Sequence, residues 1–297
     1  MFMNKFKNKE WVGIRIVLIS SLCFAFVPTS AKIALDSGAS LTTLLITRCL
    51  IGLLILAPLT YSLKKPILIS RDRIPKVIFV SLVSIGLIAA TYHAIEYLSI
   101  ALVLMIIYLF PIGVALITQV RGEERLVFFQ WVCIFGVIFG LSFLIFDGSI
   151  KSDIYGIFIS IIGLVLFIIF IYFTGKLAND LGSETINLHI SFWSVLFLCL
   201  FITFLQSPVL MPDNTKGWVG IFGNGIFYVL SYVLFFIGSR SIGITVASVI
   251  SLTEPLFAAI IALVILNQYL SFQEIAGFTI TILSLFLFVR FSSKKTN

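Results

Sequence analysis

The chemistry of this chain is concentrated in a few polar residues stranded among apolar ones. Glu254 lies about ten residues from either end of a long apolar run, directly before Pro255. If that run lies in lipid, an ionisable group near its middle costs at least a few kcal/mol and needs a partner or a function. Arg48 sits about six residues inside another run. It could grip a carboxylate with two parallel hydrogen bonds, or pair with a neighbouring helix. At about 1.5 Å rise per residue the depths of Glu254 and Arg48 differ by only about 6 Å. That spacing suits a zwitterion, which needs one group of each sign, provided both side chains face a cavity.

Further candidates line up at helical spacing. Asn224, Tyr228 and Tyr232 recur every four residues and so share one helix face. Such a stripe could stack on a planar or cationic solute, or form a hydrogen-bonded seam between helices. Tyr108 stands one turn before Pro111, and Tyr92 and His93 stand close to Glu96 at the end of a run. His93 could titrate near neutral pH, although a hydrogen-bonded histidine at an interface explains it as simply, and His189 reads the same way. Pro111 and Pro255 each remove a backbone donor, leaving the carbonyls of Ile107 and Ser251 free and marking two hinge candidates. No HExxH, GxSxG, kinase-like or GxxxxGK[ST] pattern is present, so the reading is that the chain is not an enzyme and hydrolyses no ATP itself. Cys23, Cys49, Cys133 and Cys199 all lie in apolar runs without metal or disulfide spacing, and neither a metal nor a cofactor is expected.

The elements that hold these residues follow from composition. Of 297 residues, 60% are hydrophobic and 11% charged, with mean hydropathy +1.16. A soluble domain carries roughly 25% charged residues. Thirty Phe on so sparsely charged a surface would leave large apolar patches in water. A soluble enzyme, a disordered chain and a disulfide-rich secreted domain are excluded. The fold class is therefore an all-α polytopic membrane protein, because helices satisfy their own backbone groups in lipid. Breaks in the apolar pattern predict ten spans over 12–33, 42–61, 76–96, 100–119, 129–146, 154–173, 185–205, 217–237, 244–266 and 273–291.

With that threading, sixteen of the 20 Lys and Arg fall on one side, three on the other (Lys32, Lys151 and Lys216), and Arg48 lies within a span. By the positive-inside rule both termini are cytoplasmic, in a bacterial inner membrane. The net charge of +7 thus reports orientation and calls for no nucleic-acid partner.

Leu98 to Leu126 also aligns without gaps on Ile242 to Leu270, at a constant shift of 144. The shift superposes Pro111 on Pro255, Ala115 on Ala259, Glu124 on Gln268 and Leu126 on Leu270. Five spans per half is an odd number, so the second half enters the membrane in the opposite direction. The domains are then two inverted five-helix repeats, 1–148 and 149–297. Inverted repeats of this kind build many secondary transporters, with the substrate site near the midplane.

The "P…GEERL" ending of span four resembles the EamA branch of the drug/metabolite transporter superfamily. So do the "TEP…NQYLS" stretch of span nine, the "TRCL" of span two and the ten-span length. The resemblance implies two five-helix repeats around a central cavity, and cargoes such as amino acids, sugars, vitamins and nucleotide derivatives. Gln268 departs from the family's loop Glu, which weakens a charge-dependent role for the second copy of that loop. The expected function is secondary transport of a small polar or zwitterionic metabolite by alternating access. The partners are that solute and the bilayer, and the protein is expected to be a monomer or homodimer. The alternatives are uptake of a vitamin or of a nucleotide-derived cofactor such as S-adenosylmethionine, or, in a different class, a membrane-embedded enzyme or channel.

Overall fold

The computed structural model describes residues 2–98, 100–145, 153–205, 208–265 and 271–292. Twelve helices account for the ten expected stretches: α1 (Phe2–Asp36), α2 (Leu41–Ser62), α3 (Ile74–Tyr97), α4 (Ile100–Ile107), α5 (Phe110–Val120), α6 (Phe128–Ile145), α7 (Ile154–Leu181), α8 (Ser183–Leu205), α9 (Thr215–Ile242), α10 (Ile244–Ser251), α11 (Glu254–Ile265) and α12 (Phe272–Ser292). Nine stretches have the length and apolar character to cross a bilayer, and the tenth is the shorter Phe128–Phe143 among the described residues. Many large apolar side chains point away from the protein, among them Leu54 at 75%, Phe128 at 83% and Phe204 at 81% exposure. In water that surface would aggregate; in lipid it is solvated.

Two of the expected spans are each broken into two helices, and the break is set by proline. The ring at position i collides with the carbonyl of residue i−4, so a helix stops there. Helix α4 ends at Ile107, four before Pro111, and α10 ends at Ser251, four before Pro255. Each proline then becomes the second residue of a new helix, a position where its missing N–H costs nothing. The breaks obey the repeat register, since adding 144 to Ile100–Ile107 gives 244–251, the limits of α10, and 110 + 144 gives 254, the start of α11. The boundary at 148/149 between the repeats lies outside the described residues, as do Gln268 and Leu270.

The chain forms two compact units, each drawing on both halves of the sequence: one holds 1–18, 83–172 and 238–297, the other 19–82 and 173–237. In the first, α6 packs along α12 with small residues at the contact. A Cβ on Gly140 would meet the Gly277 carbonyl and the Thr281 amide, both at 2.8 Å; only glycine lets backbones approach so closely. A second core joins Leu87, Ala94, Leu98, Val103, Ile107 and Ile159.

In the other unit α2 packs along α8, with Leu56, Leu188, Val229 and Val233 buried together. Ser40 caps α2 by accepting the Thr43 amide at 3.2 Å. Its hydroxyl also donates to the Pro208 carbonyl at 2.9 Å, and Thr43 donates to the Leu210 carbonyl at 2.7 Å, so one loop is pinned to another. Arg73 pairs with Asp180 at 2.8 Å on the surface, a contact worth little by itself.

Candidate functional site

The first unit contains the two broken helices, and they pack against each other. The Tyr108 hydroxyl, at the first break, donates to Glu254 Oε1, at the second, over 3.4 Å. Further along, the hydroxyls of Thr118 and Thr245 meet at 2.8 Å, both fully buried. Going from the first contact to the second, the chain advances from 108 to 118 and retreats from 254 to 245. The repeat-equivalent helices therefore run antiparallel, as inverted copies must. Glu254 is only partly buried, and its carboxyl heads the first turn of α11. That is the favourable end of a helix for a negative charge. The breaks thus bring a carboxyl and a phenol together from one unwound point in each repeat.

Beside the first break lies a cavity of about 200 Å³ between α4 and α6, with Leu102, Met105, Tyr108, Ile138, Leu141 and Ser142 among its walls. An apolar cavity of roughly 150 Å³ is enough to hold benzene. The cavity next to Tyr108 thus has room for an apolar substituent about as large as an aromatic ring. Its one hydroxyl besides that of Tyr108 belongs to Ser142.

His93 and Tyr92 also belong to this unit. His93 Nδ1 and Glu96 Oε2 are 3.1 Å apart on an exposed turn. The imidazole stands edge-on to Tyr97 and to Tyr155, with ring centroids 5.3 and 6.0 Å away. His93, Tyr97 and Tyr155 thus form a cluster of mutually edge-on rings. Tyr92 is partly buried.

The other unit gathers the second group of candidates. The Arg48 guanidinium, 7% exposed, lies over the Tyr228 ring at 4.3 Å from its centroid. Tyr228 stands edge-on to Tyr232 at 5.0 Å, and Tyr232 stands edge-on to Phe24 at 4.8 Å. Asn224 Nδ2 donates to the Val27 carbonyl at 3.1 Å. The expected polar stripe of span eight is thus the face by which α9 meets α1 and α2, and Arg48 is stacked upon it. His189 also belongs here, with Nε2 2.8 Å from the Ile67 carbonyl. The candidates therefore divide: Glu254, Tyr108, Tyr92, His93, Pro111 and Pro255 in one unit, Arg48, Asn224, Tyr228 and Tyr232 in the other.

Glu124, which the sequence marked only as the loop partner of Gln268, has a structural role that sequence reasoning did not assign. Glu124 Oε1 accepts the amides of Ile244, at 2.9 Å, and Thr245, at 3.4 Å, so it caps α10 from a distant loop. The helix begins after Gly243, whose φ of +86° suits glycine alone. A Cβ there would come within 2.9 Å of Glu124 Oε1. The signal was present in the glycine before span nine, which cannot cap with a side chain of its own. Burial holds the Glu124 carboxyl above its ordinary value, against the opposing pull of hydrogen bonds from Thr245 and Ile244; the negative charge of Glu123 pushes the same way as burial.

All four cysteines are free, and no cluster of three His, Cys, Asp or Glu that could hold a metal occurs among the described residues.

Apolar helices on this scale, broken at repeat-related prolines with ionisable groups beside the breaks, define an integral membrane protein built from a duplicated unit. The model of the EamA-like transporter family matches twice, over residues 11–146 and 151–290. The chain belongs to that family. A solved crystal structure superposes with a TM-score of 0.79 at 14% identity, covering 93% of this chain and 97% of the other, a likeness of fold. No sequence relative matches among curated proteins.

Proposed function

We propose that the protein is a secondary transporter that moves a small polar or zwitterionic metabolite, such as an amino acid, by alternating access. It is no enzyme on this reading, and the membrane is a bacterial cytoplasmic membrane with both chain termini inside. Membership of a transporter family supports the class, and the lopsided distribution of Lys and Arg supports the orientation.

The observation that carries the reading is the Tyr108–Glu254 pair. A carboxyl deep within a span is costly unless it serves a function. This one stands where both repeats interrupt their helices, the feature by which carriers place binding groups at the midplane. Glu254 supplies a charge for an ammonium group, Tyr108 a ring and a hydroxyl. The adjoining cavity supplies room for an apolar side group. In the other unit, Arg48 is stacked on the Tyr228 ring.

Solute counterflow tests the proposal. Purified protein in liposomes loaded with unlabelled amino acids, vitamins or nucleotide metabolites should accumulate the matching labelled solute without ATP. Zwitterions should head the ranking. Counterflow with none of the three classes, from protein that is folded and monodisperse, contradicts it.

A further inference from the structure

We propose that Glu124 is a positioning residue of the transport cycle, a proton-sensitive latch that ties together one end of the paired broken helices. The proposal rests on the transporter reading for its purpose, but on geometry for its existence.

The first amides of a helix have no partner within it and are normally satisfied by a side chain just before the helix. Gly243 has no side chain to offer. The cap comes instead from Glu124, 120 residues away in sequence, whose Oε1 accepts the Ile244 amide at 2.9 Å. The loop after α5, in the first repeat, is thereby fastened to the start of α10, in the second. The buried Thr118–Thr245 hydroxyl pair at 2.8 Å lies just inside the same end. Loop and cap are braced from α7, where Tyr172 donates to Glu123 Oε1 at 2.8 Å and Arg121 sits 5.6 Å over the Tyr172 ring.

The latch belongs to one end. At the shift of 144, Glu124 becomes Gln268, Thr118 becomes Ala262 and Thr245 becomes Ala101. At the repeat-equivalent positions the sequence therefore carries neither the acid nor the hydroxyls. Two otherwise similar repeats are made unequal, and a two-state carrier is biased toward the state in which the Glu124 end is fastened.

Proton sensitivity follows from the surroundings of the carboxyl. Both amides land on Oε1, so Oε2 can take a proton without displacing them. Among the described residues the charged group that bears on it is Glu123, beside it on its own loop; α10 contributes the Thr245 hydroxyl and the backbone of Ile244 and Thr245. Fastened, Glu124 binds its proton more tightly than a glutamate in water, chiefly through burial. Parting the helices returns it to water. The proton is therefore a ligand of the fastened state. The stabilisation it gives is complete below the ordinary glutamate value and fades as pH rises through the elevated one. Parting becomes easier by at most about tenfold per pH unit across that interval.

Hydrogen exchange of the first-turn amides of α10 tests this, on the full chain in lipid nanodiscs from about pH 4, below the ordinary glutamate value, to about pH 8, after correction for intrinsic exchange chemistry. The wild type should show an opening constant that climbs with pH by up to about tenfold per unit, while amides of α6 stay level. Glu124→Gln, which keeps an acceptor oxygen but cannot titrate, should be level throughout. A level wild-type profile overturns the latch, and so does an unchanged slope in Glu124→Gln. The wild-type profile decides even where the variant does not fold. Exchange needs no substrate, so absence of transport would sink the transporter reading and leave the latch standing. Transport with a level exchange profile would sink the latch alone.

Discussion

A buried cation in this protein is held by a ring. Arg48 lies over Tyr228 at 4.3 Å, inside a helix whose other face is apolar. Such stacking is worth about 2 kcal/mol when it is desolvated. Tyr228→Phe keeps the ring face and should leave thermal stability nearly unchanged. Tyr228→Leu should lower stability by about 1–2 kcal/mol, and a thermal melt in detergent distinguishes them; equal losses would mean that the hydroxyl, not the ring, matters. At this scale the sequence was a partial guide. It marked Glu254 and Arg48 because a charge in an apolar run is visible without any structure. It gave Asn224, Tyr228 and Tyr232 one face, but whether that face met solute or helix was undecided; in the fold Asn224 is spent on the Val27 carbonyl. Glu124 was visible as the loop acid that matches Gln268, but its capping role was not, because a capping acid in a loop looks like any soluble-facing glutamate.

At the scale of elements, proline decides where the spans break and glycine decides how closely they pack. The breaks after Ile107 and Ser251 were legible in part: the paired prolines located them, but the expectation was a hinge within a span rather than two separate helices. The reason is steric, since the ring collides with the carbonyl four residues back and cannot donate to it, and the next helix restarts with proline in its first turn. The overlap of α6 with α12 was invisible in sequence, because a glycine among Phe and Ile carries no address for its partner. Gly140→Leu should be costly, because the new Cβ would meet backbone atoms at 2.8 Å and backbone cannot swing aside as a side chain can. The expected result is a loss of about 1–3 kcal/mol from overpacking, read as a lower melting temperature and faster hydrogen exchange in α12. An unchanged melt would place the α6–α12 contact elsewhere.

For the whole molecule, the scarcity of charge was the clearest sequence signal. It established the membrane, and the distribution of the remaining charges supports the proposed orientation. The shift of 144 was confirmed helix by helix, α4 on α10 and the start of α5 on that of α11, and the family match repeats over 11–146 and 151–290. The two compact units were not legible, because their boundaries cut across the repeats and depend on packing between residues far apart in sequence. The central claim is that solute passes through this protein under the control of the carboxyl at the second break. Its most direct measurement is gradient-driven uptake into proteoliposomes, in the absence of ATP, by wild type and Glu254→Gln. The substitution preserves shape and a hydrogen-bonding oxygen for Tyr108 while removing the charge. The account predicts uptake by the wild type and its loss, or its uncoupling from the opposing gradient, in the variant, with both proteins melting alike. Wild-type flux from Glu254→Gln at every pH tested would contradict it.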